Sequence, residues 1–265
     1  MQICGFAVGG LLVATLSARG ALLAGAAGYL IAAAIARFGL SRRPPRTAGR
    51  PSVGQTWRNN ARLWSSAPRR YVYLALWVPN GLIVGCESLF VPNAPPHAGL
   101  LFASAALGML AGDTLTGRFI PPRWRGRLSS PLRLLLAAPY LAFAWQPALP
   151  AAVTAVVLAS VGYSASLLLQ QRLMALTPDD LSGHALGLHS SGTLTMQGVG
   201  AAIAGAVAVQ TSPGTAMAVM AAASVAVTVI LAPGLRSGPA RPRPGIPAIA
   251  PSGSRRRTDP ENAPR

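Results

Sequence analysis

Charge is scarce in this chain. Asp, Glu, Lys and Arg together make up 11% of its 265 residues, where a soluble globular domain carries about 25%. Too few polar side chains are present to cover a water-facing surface. Lysine is absent altogether, so all 23 basic residues are arginine, set against six acids. On a soluble chain a formal charge of +17 points towards nucleic acid. Here the arginines sit between apolar runs and in the C-terminal tail, and no basic helical face interleaved with aromatics occurs, so nucleic acid is not an expected partner. Cysteine is nearly missing too. Cys4 and Cys86 lie inside apolar runs, at a spacing that suits neither a metal site nor a disulfide framework. With three histidines and six acids there is little material for a metal centre, and no metal or cofactor is expected. No phosphate-cradling loop followed by Gly-Lys-Ser/Thr is present, so the chain does not hydrolyse nucleotide itself.

What the sequence has in quantity is long apolar runs. A helix that crosses a bilayer needs about 20 such residues. Runs near that length cover 1–17, 21–39, 72–91, 98–116, 130–147, 150–169, 190–209 and 214–233. Lipid offers no water to exposed backbone groups, so such runs must be helices or strands of a closed barrel. None alternates with the two-residue period of a barrel strand. The expected fold is therefore all-α, a polytopic membrane bundle of about eight transmembrane helices with the lipid bilayer as its partner.

The connections fall into two sets. Residues 18–20, 92–97, 148–149 and 210–213 carry one arginine, Arg19. Residues 40–71, 117–129, 170–189 and the tail, with Arg37 and Arg133 counted as helix-end residues, hold the other 22. Cytoplasmic loops accumulate Arg and Lys. The second set is thus expected inside a plasma membrane, with both termini cytoplasmic. Four regions follow: two helices over 1–39, a basic linker over 40–71, six helices over 72–233, and an Arg/Pro-rich disordered tail over 234–265. In the linker, Trp57 and Trp64 with Arg58 and Arg62 suit either a short amphipathic helix on the inner membrane surface or a plain flexible connection. The first run starts at Met1 and covers only about 25 Å, so it reads as a helix whose beginning is missing.

Residues 108–127 read GMLAGDTLTGRFIPPRWRGR. Gly108, Gly112, Asp113, Gly117 and Arg118 resemble the cytoplasmic signature loop of the major facilitator superfamily, in the form found between its helices eight and nine. The resemblance implies a gating loop whose Asp and Arg lock one access state. Residues 5–10, GFAVGG, are similar to the helix-five motif of that family's drug–proton antiporter branch, with Phe6 where proline is usual. Gly200 and Gly205, in GAAIAGAVA, echo Gly5, Gly9 and Gly10, as an internal repeat would, and all five are expected to pack helices together. The resemblance covers the family's helices five to twelve. It implies an exporter of amphipathic small molecules, with protons as coupling ions, and leaves the four missing N-terminal helices to a truncated gene, a miscalled start or a partner that supplies them.

Within 72–91, Tyr73, Trp77, Asn80 and Glu87 share one helical face, with Pro79 and Gly81 loosening the backbone beside Asn80. By the resemblance this helix lines the central cavity, which makes these four residues its expected lining. Glu87 is open between that role and an outer-rim carboxylate. Tyr163, Ser166 and Gln170 form a second polar face, and His189, Thr193 and Gln197 a third. Each suits either the cavity or plain hydrogen bonding between helices, and His189 is expected to cap the cytoplasmic start of its helix. Catalysis is not expected. Ala111-Gly112-Asp113 falls short of an intramembrane aspartyl protease motif because position 110 is Leu, and no second aspartate lies within a span. Beside the transporter stands one alternative, a non-transporting truncated remnant or scaffold that packs with another helical membrane protein.

Overall fold

A computed structural model describes residues 2–39 and 52–236. They are almost wholly helical, with no strand among them. The helices are α1 (Gln2–Gly39), α2 (Val53–Trp64), α3 (Ala67–Ser88), α4 (Phe90–Asn93), α5 (Ala98–Phe119), α6 (Pro122–Ala137), α7 (Leu149–Val161), α8 (Ala165–Ala175), α9 (Ser182–Gln210) and α10 (Pro213–Arg236). Short 3-10 turns join several of them, at Ala138–Trp145 after α6 and at Gly162–Ser164 between α7 and α8. Proline punctuates this pattern. It occupies the first turn of α3, α6 and α7, where its missing N–H costs nothing. Pro139 tightens the backbone into the 3-10 stretch that completes the α6 segment.

Five helical stretches among the described residues are long and apolar enough to cross a membrane: Ala67–Asn93, Pro95–Phe119, Leu149–Ala175, Asp179–Gln210 and Pro213–Leu235. The segment 122–145 is of similar length but carries four arginines. The chain is a helical membrane bundle. The first two expected runs, however, form one helix. Nothing at 18–20 stops it, since the stretch Ser17-Ala18-Arg19-Gly20 holds no proline and its Ala and Arg favour helix. At 38 residues α1 is about 57 Å long, nearly twice the hydrocarbon thickness of a bilayer. It packs against α5, and its stretch from Leu23 to Phe38 is exposed.

The helix α3 lies at the centre, against α9 and α10, while α5 pairs with α7 and α10 with the 3-10 stretch after α6. Small residues set these spacings, as expected where lipid competes equally for apolar side chains. A Cβ on Gly200 would meet the Gly81 carbonyl oxygen, and one on Gly81 would meet that of Met196, so α3 and α9 touch backbone to backbone. Gly108 and Gly112 bring α5 against Val157 and Val161 of α7 in the same way.

Two apolar clusters fill the interior. One, at the arginine-bearing end, joins Leu63, Val72, Leu76, Leu169, Leu173, Leu231 and Leu235. The other, at the opposite end, joins Ile83, Phe90, Leu101, Leu136, Phe143, Val156 and Met217. Of the two readings for the linker the helical one holds over α2, which is capped by the Ser52 hydroxyl on the Gln55 N–H at 3.2 Å. Leu63 is buried, and Trp64 stacks on Tyr73 with ring centroids 5.9 Å apart, while Trp57 stays 71% exposed. Residues 40–51 of the linker and 237–265 of the tail lie outside the described residues.

Candidate functional site

The polar face of α3 is engaged along its length. Tyr73 donates its hydroxyl to the Ala185 carbonyl at 3.4 Å, and the Trp77 indole N–H bonds the His189 carbonyl at 3.2 Å. Asn80 accepts from the Gln197 amide at 3.1 Å. All three partners belong to α9. Gly192 completes the fit, because any side chain there would collide with the Trp77 ring. Tyr73, Trp77, Asn80 and Gln197 therefore tie two helices together, which for Gln197 is one of the two roles its polar face suited.

Glu87 behaves differently. Its Oε1 accepts a hydrogen bond from the Tyr163 hydroxyl at 3.0 Å, linking α3 to the 3-10 turn at Gly162–Ser164. Cys86 and Tyr140 belong to the apolar cluster beside it, and Tyr163 packs against that cluster. The carboxylate is partly buried and turned inward by this bond. Of the two sequence readings for Glu87, the inward one has a named partner. Gln170 is half-buried on α8.

Two expectations need correction. The residues 108–118 that resemble a gating loop are all helical, since α5 runs unbroken to Phe119. Gly108 and Gly112 pack inward, whereas Asp113, Gly117 and Arg118 are exposed on its outer surface. Because α5 keeps its helical backbone to Phe119, the connection shrinks to residues 120–121. His189 does not cap a helix start, because α9 begins at Ser182, seven residues earlier. Its ring instead meets the Thr193 hydroxyl at 3.4 Å. Gly205 faces open space, while Gly200 is a close-contact glycine. Gly5, Gly9 and Gly10 lie in the helical backbone of α1, and their packing falls outside the described side chains.

At the arginine-bearing end, guanidinium groups cap helix C-termini, where carbonyl groups lack intrahelical partners. Arg69 donates to the carbonyls of Arg62 and Leu63 at the end of α2, and to Leu176 just past α8. Arg172 donates to the Leu235 carbonyl near the end of α10. Arg125 reaches Gln171 at 3.0 Å, and Arg62 pairs with Asp180 at 3.6 Å.

Arg133 is the residue that sequence reasoning misplaced. Counted as a helix-end cation, it is 1% exposed inside the bundle, with Nε and Nη1 unpartnered. The reason is the helix start. The segment begins at Pro122 rather than near 130, so Arg133 falls at its midpoint. An arginine at the centre of a membrane helix costs about 2.5–3.5 kcal/mol on insertion scales. A readable signal existed, since apolar leucines flank Arg133 on both sides of the sequence. The hydroxyls of Tyr140, Ser160, Ser224 and Thr228 are buried without partners as well.

A cleft of about 340 Å³ opens at the end of the bundle away from the arginine-rich connections. Asn93, His97, Leu101, Gln146, Ser212 and Gly214 are among its lining, and none of the expected cavity residues is. Comparison with known protein families, with curated proteins and with solved structures finds no match for this chain.

Proposed function

We propose that the chain is a membrane secondary transporter of the major facilitator type, exporting amphipathic small molecules across the plasma membrane by alternating access with protons as the coupling ion. The observation that carries this reading is the Tyr163–Glu87 hydrogen bond at 3.0 Å between two membrane helices. Ionisable residues within membrane helices are costly, face the protein interior and commonly mark ion or substrate pathways. A carboxylate held by one neutral hydroxyl, with no cation paired to it among the described residues, can take up and release a proton as its surroundings change. At the contacts of α3 with α9 and of α5 with α7, glycines bring the helices backbone to backbone. In this reading the arginine-bearing end is cytoplasmic, and a partner or further segment supplies the opposite wall of the path.

The test is transport in inverted vesicles energised by a proton gradient. A labelled hydrophobic cation or antibiotic should accumulate with the native chain, and Glu87→Gln should remove the dependence on the gradient. No uptake of either probe, nor of a labelled amphipathic carboxylate, would defeat the transporter reading.

A second reading, a non-transporting scaffold that packs with another helical membrane protein, draws on α9. Its apolar stretch is 11% buried, against 39–56% for the other four long spans, and Ser190, Ser191 and Thr195 are exposed on it. Native-like vesicles that move no substrate, while Glu87→Gln changes nothing, would favour this second reading.

A further inference from the structure

The three strongest marks of depth in the bundle agree on where Arg133 sits. It lies at the midpoint of its own segment, 122–145. Leu132 and Leu136, its neighbours on α6, press against Gly162, which is the midpoint of the span Leu149–Ala175. The third mark comes from α10. Gly214 lies against the Phe143 carbonyl, and α10 packs along both α6 and the 3-10 stretch. Moving from Phe143 back to Arg133 descends about 17 Å, at about 2.0 Å per 3-10 residue and 1.5 Å per α-helical residue. The same descent along α10 is about 11–12 residues, which ends between Ser224 and Thr228. Those two residues are buried, and their hydroxyls lack partners.

A guanidinium stays charged in proteins and offers five N–H donors with no acceptor. Serine and threonine hydroxyls can each add another donor. By this reckoning a fixed cation on α6 stands level with two hydroxyl donors on the neighbouring α10. The acids among the described residues are committed elsewhere. Glu87 is bonded to Tyr163, and it lies higher in the bundle, because its neighbour Cys86 bonds the Met217 carbonyl two to three turns above Ser224 and Thr228. Asp113 and Asp179 are exposed, and Asp180 pairs with Arg62. An anion from outside the chain fits this arrangement, and a planar carboxylate fits the fork of a guanidinium best, through two parallel N–H bonds. Leucine and alanine side chains of the apolar cluster begin one turn away, at Leu136 and Ala137.

We propose that Arg133, with Ser224 and Thr228, forms a carboxylate-binding site at the middle of the bundle, and that its ligand is an amphipathic monocarboxylate whose hydrocarbon part lies in the adjoining apolar cluster. This deepens the transporter reading, on which its biological sense rests, by naming the substrate class.

The experiment is thermal unfolding of the full chain in a neutral detergent, followed by tryptophan fluorescence, with sodium decanoate, decanol or decyltrimethylammonium added at constant chloride. Decanoate should raise the midpoint of the native chain by several degrees more than either analogue. Arg133→Gln should abolish that difference, and Arg133→Lys should keep part of it, because a lysine retains the charge but not the fork. Without ligand, Arg133→Met should unfold at or above the native midpoint, since it removes a buried charge that has no partner. Equal shifts with decanoate and decanol in the native chain, a decanoate shift kept by Arg133→Gln, or a clear fall in midpoint for Arg133→Met would each overturn the site. If decanoate binds as expected but reconstituted vesicles transport neither it nor any hydrophobic cation, the site stands and the transporter reading fails.

Discussion

Asn80 and Gln197 meet across α3 and α9 with their amides 3.1 Å apart. Each would otherwise be a polar group in an apolar span. Interhelical hydrogen bonds of this kind contribute about 0.6 kcal/mol on average. A double-mutant cycle with Asn80→Ala and Gln197→Ala, followed by reversible unfolding in mixed micelles, should give a coupling energy of that size. Coupling near zero would mean the two amides do not meet in the membrane. At Glu87 the expected outcome separates function from stability. Glu87→Gln keeps an acceptor for the Tyr163 hydroxyl, so the unfolding midpoint should change little while gradient-driven transport is lost. Both effects moving together would make the residue a structural tie and nothing more. Spacing in the sequence placed Tyr73, Trp77, Asn80 and Glu87 on one face. That face is present, but spacing carries no information about what stands opposite it. The partners, Ala185, His189 and Gln197, are more than a hundred positions away in the chain.

At the scale of the helices, contact distance is set by glycine. Gly200 and Gly81 allow α3 and α9 to touch through their backbones, whereas a Cβ on Gly205 would meet open space. The two positions form a matched test. Gly200→Ala forces the helices apart and should lower stability by about 1–3 kcal/mol, the usual cost of overpacking. Gly205→Ala should be neutral or slightly stabilising, because alanine favours helix over glycine. Denaturant titration of both variants checks the difference, and equal effects would remove the close contact from the account. Both glycines look alike in the sequence, and only the facing helix distinguishes them. The joining of two expected runs into α1 has a similar origin. Hydropathy finds the apolar stretches, but a break needs a residue that ends a helix, and Arg19-Gly20 without proline does not supply one. For the linker, Trp57, Arg58, Arg62 and Trp64 suited a helix and a flexible connection alike, and the helix α2 is what forms.

For the whole molecule, the arginine asymmetry places the ends of the bundle relative to one another. The connections at 65–66, 120–121 and 176–181 lie at one end, while 94, 146–148 and 211–212 lie at the other, as the alternation of antiparallel helices requires. Moving Arg133 from the loop set to the interior leaves the bias of the connections in place. In a background with Cys4 and Cys86 replaced, Ser65→Cys should react with a membrane-impermeant maleimide only after cells are opened, and Thr211→Cys should react in intact cells. Reaction of both from the same side would refute the threading.

Hydropathy alone determined that the chain is helical and resides in lipid, because burial in a membrane is a sum over neighbouring residues, and so is the shortage of charge. Which end gathers the arginines was also legible in the sequence, from the connections in which they fall. The depth of Arg133, the pairing of Glu87 with Tyr163 and the division of glycines into contact and surface positions were decided by tertiary structure. Each depends on the start, register and crossing of helices far apart in the chain, and no local pattern encodes those distances.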